Sequence, residues 1–222
     1  MTRRAYSLIE IIFSLALIGL VAGLSLGFLF PALRASVRGT LRVEMQQQAV
    51  TALNRLCGDV RRTSVAGLSL RSGTPPIAVA ACPVSGPDLR LGQAGPLQPD
   101  GTVVWSDFFI LYYLDETSRK LMRREWPPGP PAATTEETTI VKPRRLSPAR
   151  LAQIVAQPGS NEMVLATEVT RFEIEHAPGG SDGEVKQPIR FRLVLERRGN
   201  TGHQSQERFI YTRSVFLRNQ KT

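Results

Sequence analysis

Histidine and cysteine are scarce in this 222-residue chain, two of each, and that scarcity removes whole classes of function. His176 and His203 stand in or near turns with no companion at ligand spacing, and Cys57 and Cys82 are far apart in sequence. No Cys/His metal motif can be assembled from that order. A nucleophile elbow, a glycine-rich phosphate loop and a paired-carboxylate motif are also missing, so no enzyme, cofactor or metal is expected. Asp182, Gly183 and Glu184 could offer oxygens to calcium, although the same residues make an ordinary turn. No helix-turn-helix, zinc finger or aromatic-basic sheet signature is present, which leaves nucleic acid only as an electrostatic partner. No internal repeat is evident.

A further absence is the most informative. From Ile11 to Leu33 there is no charged side chain, and about 20 apolar residues suffice for a helix to cross a hydrocarbon core. A cleaved secretory signal would have a shorter apolar run of about 7–15 residues ending at a small-residue site, and VAGLSLG offers only a poor one deep inside the run. Gly19, Gly23, Gly27 and Pro31 recur every fourth residue, near one face. They suit either close helix packing or local unwinding, and are also ordinary membrane-helix composition. A lone carboxylate, Glu10, heads the run. Placing it near hydrocarbon costs about 2.5–3.5 kcal/mol, so it needs a charged or hydrogen-bonding partner.

The residues before the run supply a candidate. RRAYSLIE, residues 3–10, resembles the class III leader junction of type IV pilins and type II secretion pseudopilins, with a short basic leader, a small residue, an aromatic, then Ser-Leu-Ile-Glu. The resemblance implies that prepilin peptidase cuts between Ala5 and Tyr6 at the cytoplasmic face and methylates the new amine of Tyr6. It also implies that Glu10 neutralises the terminal amine of a neighbouring subunit during filament assembly, as an opposite charge favours the ionised carboxylate. The family usually has Gly where Ala5 stands and Phe where Tyr6 stands. The competing reading is an uncleaved signal anchor. Charge alone does not set orientation, because Arg3 and Arg4 precede the run while Arg34, Arg38 and Arg42 follow it. The leader motif implies a single-pass protein of the inner, cytoplasmic membrane with its C-terminal bulk periplasmic or extracellular.

Beyond the run, Leu33, Val37, Leu41, Met45, Ala49, Leu53, Leu56 and Val60 recur every three to four residues. This predicts one helix from about Ser7 to about Thr63 whose outer half lays an apolar stripe on a folded domain. The rest is β-rich. Val103 to Leu114 and Lys120 to Trp126 flank a Glu116-Thr117-Ser118 turn and predict a hairpin. Phe172 and Ile174, then Ile189 to Glu196 with a period of two, then Phe209 to Leu217 predict three more strands. Ser147 and Pro148 predict the start of a short helix through Val155. Residues 67–101 read as an extended loop with one short strand near Ile77 to Ala81. The expected class is α+β, a long N-terminal helix packed on an antiparallel sheet, pilin-like. The expected segments are 1–5 leader, 6–33 membrane half, 34–66 amphipathic half and 67–222 globular head.

Net charge is +9. Residues 34–62 hold six arginines against Glu44 and Asp59, so this short stretch carries much of the excess. Arg34, Arg38 and Arg42 share one face and could meet anionic headgroups, acidic neighbouring subunits or only water. Cys57 and Cys82 would sit in the oxidising compartment that the resemblance implies, where a disulfide closing about 26 residues would contribute about 3 kcal/mol. Two unpaired small apolar side chains are the alternative. The chain as a whole reads, with the downstream segments RLCGDVRRTS, ILYYLDETSRKLMRREW and RFIYTRSVFLRN, as similar to a minor pilin or J-type minor pseudopilin of a type IV pilus or type II secretion pseudopilus. Its partners would be other pilins, prepilin peptidase and membrane lipid. A membrane-anchored receptor or ligand-binding protein and a DNA-uptake pilus subunit are the alternatives.

Overall fold

A computed structural model describes residues 8–84, 105–127, 145–157, 159, 161–178, 185–198 and 206–217. Helix α1, Leu8–Arg61, has bounds close to those expected from its periodicity. The chain divides into two compact units, Met1–Glu44 and Met45–Thr222. In the first, the described residues are all helical, and every side chain from residue 8 to residue 40 is exposed. In the second, the remainder of α1 is built into a core.

That remainder corrects the expected stripe. Met45, Ala49, Leu53, Leu56 and Val60 are buried, joined by Ala52 and Cys57, whereas Leu33 and Val37 stay more than half exposed. The cause is helical drift. Each four-residue step overshoots a full turn by about 40°, so three steps from Leu33 to Met45 rotate the position by about 120°. Leu33 and Val37 therefore leave the line that Met45 and Leu56 occupy.

After α1 come a short 3-10 turn, Val65–Gly67, then β1, Leu68–Arg71, and β2, Ala78–Ala81. The hairpin of β3, Phe109–Asp115, and β4, Lys120–Trp126, follows. Helix α2, Pro148–Ala156, precedes β5, Met163–Ala166, β6, Val169–Pro178, β7, Val185–Arg198, and β8, Gln206–Val215. The β3–β4 turn is closed by Asp115, which accepts the backbone N–H of Thr117 at 3.0 Å and the Ser118 hydroxyl at 2.6 Å. The Ser118 hydroxyl, with the backbone amides of Ser118 and Thr117, holds the Asp115 carboxyl below the usual carboxylate range despite some desolvation. Ser147 caps α2 as expected, its hydroxyl accepting the Arg150 N–H at 3.2 Å with Pro148 at the first turn.

Among the described residues the strands form two antiparallel sheets, β1-β2-β3-β4-β5 and β6-β7-β8, rather than the single sheet expected. Glu168 (φ 59°) explains the break, because a left-handed residue between β5 and β6 turns the chain out of the first sheet. Gln48 on α1 braces this corner by accepting from both the N–H and the hydroxyl of Thr167 at 3.2 Å. β1 and β5 were not foreseen. β3 starts at Phe109 rather than Val103, and Trp105 makes only an isolated bridge to Val84.

Strand alternation divides the interior into two clusters. Val79, Ala81, Tyr112 and Leu114 face the buried stripe of α1, joined by Phe172, Ile189, Phe191, Leu193 and Leu195 from the three-stranded sheet. Phe172 and Phe191 stack with ring centroids 6.4 Å apart. The other face of the five-stranded sheet presents Ala78, Ala80, Leu111 and Tyr113 to Leu151 and Ile154 of α2. Side chains along a strand alternate between faces, and the same alternation continues past β2 to Cys82, which belongs to the α2 cluster, while Cys57 belongs to the α1 cluster. The expected Cys57–Cys82 disulfide is therefore not formed; both thiols are buried, and that of Cys82 donates to the Ser106 carbonyl at 3.4 Å.

Candidate functional site

The first unit carries the candidate surface. Leu8, Phe13 and Phe28 are each about three-quarters exposed, and the other large apolar side chains through Val37 are about half exposed or more. α1 is long and apolar enough to cross a membrane. Fully burying one such side chain is worth about 1.5–3 kcal/mol. Leaving the whole run in water would therefore cost more than the roughly 5–15 kcal/mol that holds a typical domain folded. Some apolar medium or other chains must cover it.

Glu10 sits in the first turn of α1, exposed, where a negative charge complements the helix dipole. Its backbone carbonyl accepts the Ser14 hydroxyl at 2.7 Å. Its carboxylate has no partner among the described residues. Ala5 and Tyr6 lie outside the described residues. Gly19, Gly23 and Gly27 face open space, since a Cβ at any of them would meet nothing within 4 Å. The fold of this chain alone does not require their small size. α1 continues through Pro31 without ending, although proline lacks the N–H that would satisfy the Gly27 carbonyl. Arg34, Arg38 and Arg42 are exposed beyond the run and make no ion pair among the described residues.

The second unit holds two polar clusters that the sequence reading did not single out. Asp59, in the last turns of α1, accepts the Tyr112 hydroxyl at 2.5 Å and the Arg123 Nε–H at 3.1 Å, tying the helix to β3 and β4. Burial and then the Asp59 charge push the Tyr112 phenol well above its ordinary range. Burial works against the Arg123 charge, but Asp59 and Tyr112 hold its pKa above the usual value. On the opposite face, buried Arg124 donates to the carbonyls of Ile154 and Gln157 at the end of α2, and to Glu162 at 3.1 Å. Glu162 also accepts the Tyr113 hydroxyl at 2.6 Å. A signal was available: consecutive arginines in a strand point to opposite faces, so Arg123 and Arg124 cannot both face water when both faces are covered. Burial also pushes the Cys57 thiol up to about 11, against the pull of Arg213 and Arg61.

His176 lies within β6, two residues from its end. His203 and the Asp182-Gly183-Glu184 segment lie outside the described residues, and no group of His, Cys, Asp and Glu is placed to hold a metal among the described ones. An open groove of about 580 Å³ has Ile77, Leu114, Phe172 and Ile174 among its lining, with Arg171, Glu173 and Arg192 beside them. Those three charges are already engaged with one another, Glu173 lying 3.2 Å from Arg171 and 3.3 Å from Arg192.

No protein-family model, no curated protein and no solved structure matches the chain. The features that stand are a long N-terminal apolar helix, able by length and composition to span a membrane, and antiparallel sheets packed on its later residues. This is a pilin-like topology.

Proposed function

We propose that the chain is a minor pilin or pseudopilin, a structural subunit held in the cytoplasmic membrane and drawn from it into a filament. Prepilin peptidase removes residues 1–5 and methylates Tyr6, and the apolar run of α1 then packs among the helices of other subunits. The observation that carries this reading is an exposed apolar helix, headed by a carboxylate with no partner among the described residues, that continues into a folded core. A helix apolar on all sides must be surrounded by lipid or by other helices. A carboxylate at its mouth, with no partner among the described residues, fits a site completed by another chain's amine. Because the attraction acts in apolar surroundings, it sets docking register as well as adding affinity.

Substitution of Glu10 in the native host tests the assignment. Glu10→Ala should yield a chain that is processed and membrane-held but missing from sheared filaments or from the pseudopilus fraction. Normal incorporation of that variant would contradict the proposed role.

A further inference from the structure

Arg34, Arg38 and Arg42 begin where the uncharged run ends, and they stand on one helical face without an ion pair among the described residues. The run fixes their depth. If Ile11 to Leu33 fills the hydrocarbon core, Arg34 enters the adjoining headgroup layer, which is about 5–8 Å deep on each side. The helical rise carries Arg38 about 6 Å and Arg42 about 12 Å further along. Arg34 and Arg38 thus reach phosphate, while Arg42 lies just outside the layer but within one Debye length. The basic residues of this stretch are all arginine, whose planar fork pairs bidentately with phosphate oxygens where lysine offers only a point charge.

We propose that Arg34, Arg38 and Arg42 form a clamp for the phosphates of anionic lipids in the leaflet next to the globular unit, fixing the depth at which the helix is held before use. The partner is lipid rather than an acidic protein because the length of the uncharged run, by itself, sets the arginines at phosphate level. The inference rests on the membrane-spanning part of the proposed function and not on cleavage or assembly.

The full chain reconstituted in nanodiscs of mixed phosphatidylcholine and phosphatidylglycerol provides the test, with native mass spectrometry counting the lipids retained. A basic residue near an anionic surface shifts the lipid equilibrium by about fivefold. Wild-type protein should retain phosphatidylglycerol about fivefold or more above the disc average, less at high salt. R34Q/R38Q/R42Q should fall to the disc average, with R42Q alone causing the smallest loss. R55Q, an exposed position higher on α1, should behave as wild type. Equal retention by the triple variant and wild type would overturn the clamp, as would an equal loss in R55Q. Alkaline extraction of the native membranes separates the two levels of failure. Release of the chain would refute the spanning helix itself, whereas a retained chain without lipid enrichment would refute only the clamp. A triple variant that keeps its phosphatidylglycerol but loses filament partners would assign the arginines to acidic protein and also overturn the proposal.

Discussion

One helix, α1, meets two physical fates. Along residues 11–33 it is apolar nearly all round and every side chain is exposed, with no cover among the described residues, whereas from Met45 to Val60 a single stripe is buried to completion. The difference lies both in how apolar the two parts are and in how their apolar residues are arranged. A stripe asks for cover on one side, and the two sheets supply it; a helix apolar on every side asks for neighbours on every side, which the described residues do not provide. The first part is thus shaped for surroundings outside its own fold, and the second for holding a domain together.

The contrast yields tests of graded size. Phe172→Ala empties a fully buried site beside Phe191 and should cost about 3–5 kcal/mol in denaturant unfolding of the full chain in detergent. Leu24→Ala, in the exposed part, should leave that transition within about 0.5 kcal/mol. Equal effects at the two positions would erase the distinction between the parts.

Asp59→Asn should cost about 1–3 kcal/mol, because Arg123 keeps its partly buried charge while losing the opposite one. The companion change Glu10→Gln should leave unfolding unchanged, since that carboxylate has no partner among the described residues.

Alkaline titration should separate the parts again. The thiol of Cys57 and the phenol of Tyr112 are both held protonated in the folded state. The folded state then binds more protons than the unfolded one, and stability falls as pH rises. For Cys57 the loss should begin near 9.0, the unfolded value, and be complete near 11. Tyr112 should add to it above about pH 10. The helical signal of residues 8–44 should not follow this titration.

The smallest effect concerns the thiols. Denatured, unreduced protein should take up two iodoacetamide adducts, whereas native protein should react slowly because Cys57 and Cys82 are buried. A single disulfide-linked mass would place both thiols on one side of the sheet.

What the sequence made legible follows the range of the forces involved. The bounds of α1, the Ser147 cap with Pro148, and the β3–β4 hairpin depend on residues a few positions apart, and each was readable. The division into two sheets turns on the backbone of Glu168, a residue type that gives no warning of a left-handed corner. β5 escaped notice because Met163 and Val164 are both exposed and show no alternation. The cysteines misled because sequence separation measures loop length but not which face of a strand a thiol occupies. At the candidate site, Glu10, Arg34, Arg38 and Arg42 could be named from charge pattern alone. The pairings of Asp59, Arg123, Arg124 and Glu162 could not, since they join segments distant in sequence.

The mass of the chain's N-terminal peptide, taken from membranes of the native host, bears most directly on whether the exposed helix belongs to a filament subunit. A peptide that begins at Tyr6, carries one added methyl group and lacks residues 1–5 is the expected result. A peptide that retains Met1 through Ala5, with no methyl on Tyr6, would contradict the account.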